Sequence, residues 1–238
     1  MKRFFSFIGL CLFVFVVQAQ SLYVEQFENA AVDDKTLQEA RKQIEDHKVV
    51  EIKENIFVPP FHQQKPPQLT DKKEFCNDCH LSPPHKKDER KRGFLNMHSR
   101  YISCLSCHFQ PQDVPLEYRW LSFDENENED SIKRITPFYD AQPVPVFSDN
   151  EFAVKIQQAW KKESPLQRAE LKAKVHAPLG EQGPKCLACH DNKKQLLDLD
   201  ALGYSEKEIK KLQRHAIPRF FSRFKKDEQR LRMTDLLK

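Results

Sequence analysis

The sequence predicts a mainly α-helical fold with extensive irregular loops and little β-structure, on three observations. Helix-capping patterns recur along the chain, at Asp149, Ser164 and Ser205. The 238 residues include 15 prolines and 31% charged residues, so the apolar core is small for the length of the chain. A Cys-x-x-Cys-His pentapeptide occurs three times. A small core and a repeated cofactor motif together predict a chain that wraps around bound groups.

Each pentapeptide has the spacing that attaches a haem covalently. Two thiols one helical turn apart form thioethers to the haem vinyl groups, and the adjoining histidine reaches the iron as its proximal ligand. The cysteines are Cys76, Cys79, Cys104, Cys107, Cys186 and Cys189, and the proximal histidines are His80, His108 and His190. The motifs therefore predict three covalently bound haem c groups and a multihaem cytochrome c architecture with an apo chain that is largely unfolded.

Two other interpretations of the cysteines are weaker. The first two pairs, from Cys76 to Cys107, have a spacing compatible with a four-thiolate zinc site. Zinc leaves unexplained why a histidine follows all three pairs in a chain with 9 histidines. Redox disulfides of the thioredoxin type expect one such pair in a βαβ pattern, and the sequence has no such pattern.

Residues 1–19 resemble an export signal. Met1-Lys2-Arg3 precedes an apolar run over 4–17 and then Gln18-Ala19, which suits a signal peptidase. The run is shorter than the roughly 20 residues that a membrane span needs. We expect cleavage after Ala19, no integral membrane segment in the mature chain, and a periplasmic location, because c-type haem is attached outside the bacterial cytoplasm. Cys11 lies inside this signal, so all six remaining thiols belong to the three motifs.

The charge balance gives no support for nucleic-acid binding. The formal net charge of +4 falls to +2 when Lys2 and Arg3 leave with the signal. Two propionates on each of three haems would bring the assembled protein to about −4.

Three further histidines are predicted to be the distal axial ligands. His62 follows two prolines upstream of the first motif, His98 lies six residues before Cys104, and His176 lies ten residues before Cys186. His98 is also expected to be able to serve a neighbouring haem. His85 is the reserve candidate, and Met97 is expected to pack rather than to bind iron. His47 and His215 are expected not to be ligands.

A family resemblance supports part of this assignment. Val58-Pro59-Pro60-Phe61-His62, the first motif, His98, the run over 99–103 into the second motif, and Pro111 to Leu116 form one ordered pattern. In order and spacing, this pattern is similar to the periplasmic di-haem small subunit of nitrate reductase. The resemblance covers roughly residues 57–120, and it implies bis-histidine coordination completed by His62 and His98. The chain differs from that family in its third motif and its long C-terminal half.

The remaining signals divide the chain into regions. We expect an N-terminal di-haem region over 20–123, an acidic and proline-rich linker over 124–149, and a helical region with the third haem over 150–238. The first region should contain an exposed accessory helix over 33–47 and a short strand over 49–58.

Capping and breaking residues predict the C-terminal elements. Asp149 should cap one helix, and Ser164-Pro165 should begin the next. Leu196 to Leu202 should form a short helix that Gly203 stops, and Ser205 with Glu208 should form a capping box. Pro218 should interrupt the helix that follows. The basic and aromatic tail from Arg219 should cover the haem core, with a docking surface for an acidic partner or a membrane as the alternative.

These features predict an electron-transfer protein. Two histidines on every iron leave no position for a substrate and favour low reduction potentials. The class implies a membrane quinol-oxidising donor and a periplasmic terminal reductase as partners. The alternative is an enzyme or gas sensor in which one iron lacks its distal histidine and binds a small nitrogen or sulfur oxyanion.

Overall fold

The computed structural model describes residues 20–46, 72–80, 82–85, 91–128, 131–180, 182–192, 195–223 and 229. Of these, about 48% are helical and 11% lie in strands, so the mainly α-helical expectation is confirmed. The helices are α1 Leu22–Asn29, α2 Asp34–Glu45, a 3-10 helix Phe75–Asp78, α3 Arg92–His98, α4 Cys104–His108, α5 Glu151–Lys162, α6 Pro165–His176, α7 Leu187–His190, α8 Glu206–Arg214 and α9 Ala216–Arg223; the strands are β1 Glu117–Ser122, β2 Lys133–Tyr139 and β3 Gln142–Pro143.

Two of the three predicted helix caps, at Ser164 and Ser205, are confirmed. The Asp33 side chain accepts from Thr36 N at the start of α2, and complete capping boxes are present at Ser164 with Gln167 and at Ser205 with Glu208. One prediction is wrong by a residue: Asn150, not Asp149, caps α5, since its side chain accepts from Phe152 N. Such caps stabilise a helix start because they satisfy backbone N–H groups that have no partner in the helix.

A three-stranded antiparallel sheet occupies part of the segment that was expected to be a linker. The strand order is β1-β2-β3, and Trp120 lies opposite Ile135. Ile135 donates its N–H to Tyr101 O and accepts from Ser103 N, so β2 lies directly against the start of α4. Thr136 and Val144 are fully buried. Residues 131–149 therefore contribute strands and core side chains instead of forming an extended connection.

The main hydrophobic cluster crosses the expected region boundaries. It combines α1, the 3-10 helix, α4, the irregular segment after β3 and α5, through Leu22, Tyr23, Val24, Phe27, Phe75, Leu105, Phe109, Val144, Val146, Ala153 and Ile156. The rings of Phe27 and Phe75 both contact Phe152 edge-on, at centroid distances of 5.0 and 5.7 Å. The first two motifs and the helical region therefore share one core.

Helix α2 supports the helix that ends at His176. Ala40 of α2 packs with Ala169 and Ala173 of α6, and all three are buried. Small residues at such a seam let two helix backbones approach closely. The helix predicted over 33–47 is thus present over Asp34–Glu45, and its buried face has a structural role beyond that of an exposed accessory element.

Two expectations for the C-terminal region are wrong. Residues 196–202 form turns rather than a helix, because Leu197, Leu199 and Leu202 all point into a second cluster with Ile135. Gly203 has a φ of +84°, which favours glycine and ends this segment. Pro218 lies in the first turn of α9, where a proline costs no hydrogen bond, and the break between α8 and α9 is at His215.

Several expectations lie outside the described residues: the signal over 1–19, the strand over 49–58, His47, His62, and residues 224–228 and 230–238 of the tail. Within the described residues, none of the helices has the length and apolar character needed to cross a membrane.

Candidate functional site

Each Cys-x-x-Cys-His motif forms a single helical turn. The amide of His80 donates to Cys76 O, and that of His190 donates to Cys186 O, at 3.0 and 3.1 Å. The second motif forms the whole of α4. This i to i+4 geometry places the histidine and the first cysteine of each motif on the same side of the turn.

Each motif histidine faces a second histidine from another part of the chain. The ring centroids are 6.0 Å apart for His80 and His176, 6.3 Å for His85 and His108, and 6.1 Å for His98 and His190. With a metal–nitrogen bond of about 2 Å, imidazoles on opposite sides of one metal ion have centroids about 6.3 Å apart. All three pairs therefore have the separation that one iron between two imidazoles requires.

Two of the three predicted distal histidines are in these pairs, but both pair with a distant motif. His98 faces His190 rather than the motif six residues away, and His176 faces His80 rather than the third motif. The partner of His108 is His85, the reserve candidate. His62 lies outside the described residues, so its assignment stays a prediction. Met97 is buried and packs, as expected.

In three of these histidines a backbone carbonyl accepts a hydrogen bond from Nδ1. Nδ1 of His98 donates to Phe94 O at 2.8 Å, Nδ1 of His176 to Lys172 O at 2.8 Å, and Nδ1 of His190 to Leu212 O at 3.0 Å. A neutral imidazole with its proton on Nδ1 has a lone pair on Nε2, which is the usual arrangement in a metal-binding histidine.

Asn96 holds His85 in place, a role that no sequence motif indicated. The Asn96 side-chain oxygen accepts from His85 N at 2.9 Å and lies 3.1 Å from His85 Nδ1, and its amide donates to His85 O at 2.9 Å. These three contacts from Asn96 fix both the backbone and the ring of His85. Asn96 and His98 both belong to α3, so this short helix orients the distal histidines of two pairs.

The paired histidines are set to be neutral. Burial is the largest cause of a lowered pKa for His80, His85, His98, His108, His176 and His190. Positive charge on the facing ring adds to this effect for His80 and for His108. Neutral imidazole is the form that binds a metal ion, so ligation is compatible with neutral pH.

The His85–His108 pair lies near each of the other two pairs, an order that we call the row. His108 interacts electrostatically with His176 and His80 of the first pair, and His85 interacts with His98 of the third. The cysteines follow the same order, because Cys76 and Cys104 are in contact and the charges of Cys107 and Cys189 interact. The second motif therefore neighbours both of the others.

Glu74 joins the first two motifs. Its carboxylate is fully buried and accepts from Ser103 Oγ at 3.0 Å and from Cys104 N at 3.1 Å, and Arg134 lies 3.4 Å away. Burial raises the pKa of this carboxyl, while Arg134 and the two hydrogen bonds oppose the shift. Since Glu74 precedes Cys76 by two residues, one side chain fixes the position of the first motif relative to the second.

The thiols do not favour the two other interpretations. Among the described residues, the group close enough to bind one ion consists of Glu74, Cys76 and Cys104, with ligand atoms within 4.8 Å. It omits Cys79 and Cys107, which a four-thiolate zinc site needs. Burial raises the pKa of Cys107 to about 11 and that of Cys189 to about 12, whereas redox-active cysteines have lowered values.

Comparison with known proteins returned no matching family model, no matching curated protein and no matching solved structure. The functional interpretation therefore depends on the cysteines, the paired histidines and the groups that hold them.

We expect Glu74→Leu to lower the free energy of unfolding by about 3 to 5 kcal/mol, because it leaves the largely buried Arg134 guanidinium without its carboxylate. Denaturant titration followed by circular dichroism measures this. The double variant Glu74→Leu with Arg134→Met should lose less than the single variant, since it also removes the unpaired charge. The loss in the double variant is compared with the losses in Glu74→Leu alone and Arg134→Met alone. If the double loss of unfolding free energy equals the sum of the two, the side chains do not stabilise each other and the assigned role of the pair is wrong.

Proposed function

We propose that this chain is a periplasmic electron-transfer protein that carries three covalent c-type haems. The observation that carries the proposal is that each of three Cys-x-x-Cys-His motifs faces one further histidine at the separation of two axial ligands. A zinc or disulfide protein has no need for three such pairs.

The residues present fit the haem groups. Cys76 with Cys79, Cys104 with Cys107, and Cys186 with Cys189 would form the thioethers, and all six thiols are free. The axial ligands would be His80 with His176, His108 with His85, and His190 with His98. When bound, each haem supplies a one-electron iron couple, whose potential depends on its axial ligands and on its surroundings.

The chain's own residues favour electron transfer over catalysis. Two imidazoles facing each other at about 6 Å would both bind the iron of a haem held between them, which would leave no ligand position for a substrate. Carbonyl groups of Phe94, Lys172 and Leu212 hold the rings in fixed orientations. Rigid ligands that do not change with oxidation state keep the reorganisation that accompanies electron transfer small.

The arrangement in a row gives the middle site a defined role. The His85–His108 pair is next to both other pairs, so an electron that enters at one end reaches the other through it. The two end sites are then the positions at which partners exchange electrons. A membrane quinol-oxidising donor and a periplasmic terminal reductase are the partners that this class implies.

Mass spectrometry and carbon monoxide binding test the proposal together. We expect the mature protein to carry three covalent haems and its reduced visible spectrum to stay unchanged under carbon monoxide, because every iron has two histidine ligands. A shift equivalent to one haem would favour the enzyme or gas sensor instead. Fewer than three covalent haems would contradict the proposal itself.

The ring planes predict that the middle site has a different electron paramagnetic resonance signal from the other two. The rings of His85 and His108 are inclined by only 22°, whereas the other two pairs are inclined by 71° and 84°. Near-parallel ligand planes separate the iron d orbitals and give a rhombic low-spin signal. Near-perpendicular planes leave two orbitals almost equal in energy and give a strongly anisotropic signal. We expect one rhombic and two anisotropic signals in the oxidised protein.

Substitution of single histidines assigns the rhombic signal. His85→Ala should remove it and convert one haem to high spin. His215→Ala is the control, since its Nδ1 accepts from Ile217 N, which places the proton on Nε2 and prevents ligation. If His62→Ala instead removes the rhombic signal and His85→Ala does not, the assignment of His85 is wrong.

A further inference from the structure

The last two described helices present a strongly basic surface. Lys207, Lys210, Lys211 and Arg214 of α8, with Arg219 and Arg223 of α9, are all exposed and form what we call the basic face. The two acidic residues of α8 both have partners. Glu206 forms an ion pair with Lys210 at 3.0 Å, and Glu208 belongs to the capping box with Ser205. The basic face therefore has a clear excess of positive charge.

The helices of the basic face hold the third histidine pair. Leu212 O of α8 accepts from Nδ1 of His190, and α7, which ends at His190, packs against both α8 and α9. Phe221 of α9 contacts Phe94 of α3, the helix that ends at His98, at a centroid distance of 5.6 Å. Both histidines of this end site thus lie on helices that contact the basic face.

A small cleft in the basic face starts beside His190. Its volume is about 230 Å³, and it is lined by Asp191, Asn192, Lys210, Gln213, Arg214 and Arg219. Ligand pockets for small molecules are typically larger, on the order of 300 to 1,000 Å³. Three basic side chains and one acidic side chain around so small a space suit a carboxylate side chain from another protein.

The large apolar residues of α8 and α9 do not point to a membrane surface. Ile217 is buried, and Ile209, Leu212, Phe220 and Phe221 are half-buried against the rest of the chain. An interfacial membrane helix needs an apolar face that is free to enter the lipid.

Helix α2 differs from the basic face because it has no excess of positive charge. Its three acidic and three basic residues are exposed and balance each other.

We propose that the basic face is the docking surface for an acidic redox protein, which exchanges electrons with the His98–His190 end of the row. The proposal rests on the proposed electron-transfer function. Complementary charge would steer the partner to the end site where α8 contacts the iron ligand, and the acidic side chains of the partner would occupy the cleft.

Binding to an acidic flavodoxin tests the docking surface. Flavodoxin is immobilised, and the oxidised protein is passed over it at several ionic strengths. The variant with Lys210→Gln, Arg214→Gln and Arg219→Gln should bind at least about tenfold more weakly than the unmodified protein at low salt. The control variant, with Lys35→Gln, Arg41→Gln and Lys42→Gln on α2, loses the same charge and should bind within about twofold of the unmodified protein.

Three outcomes of the binding measurements would overturn the docking surface. If both variants lose the same affinity for flavodoxin, net charge alone drives binding and the proposed docking surface is wrong. The proposal is also wrong if neither variant loses affinity. The variant at Lys210, Arg214 and Arg219 is also tested against vesicles of phosphatidylserine and phosphatidylcholine. If it loses binding to these vesicles but keeps flavodoxin binding, the surface recognises a membrane and the proposal is wrong. Binding in the oxidised state needs no electron transfer, so these failures leave the proposed function intact. A covalent haem count below three in the unmodified protein contradicts the proposed function separately.

Discussion

The separation of paired imidazole rings is the constraint on which the rest of the structure depends. In all three pairs the centroids are about 6 Å apart, and in each pair the second ring comes from a different part of the chain than the motif. This separation is the one at which two imidazoles can bind a single metal ion from opposite sides. The fold is best understood as a scaffold that holds six imidazoles at fixed positions.

A second layer of residues makes these positions possible. Backbone carbonyls of α3, α6 and α8 set the ring orientation of three histidines, and Asn96 holds a fourth. Glu74 fixes the first two motifs relative to each other, and the alanine seam between α2 and α6 supports the helix of His176. The polypeptide core alone is small, so haem groups would supply much of the apolar interior. This explains why helices of only four or five residues can carry the motifs.

Local signals in the sequence predicted local structure well. The caps at Ser164 and Ser205 depend on side chains within three residues, and both are confirmed, while the cap predicted at Asp149 is displaced by one residue to Asn150. The pairing of His98 with His190 and of His176 with His80 depends on tertiary packing, so the sequence left open which motif each of these histidines serves. The turns over 196–202 and the strand β2 formed for the same reason: burial against neighbouring elements outweighed the helix pattern of one segment and the linker composition of the other.

The most direct test is a crystal structure of the protein with diffraction data collected at the iron absorption edge. We expect three anomalous peaks, one between His80 and His176, one between His85 and His108, and one between His98 and His190. A structure with fewer than three iron peaks, or with peaks that are not flanked by these pairs, would contradict the assignment of these histidines as iron ligands.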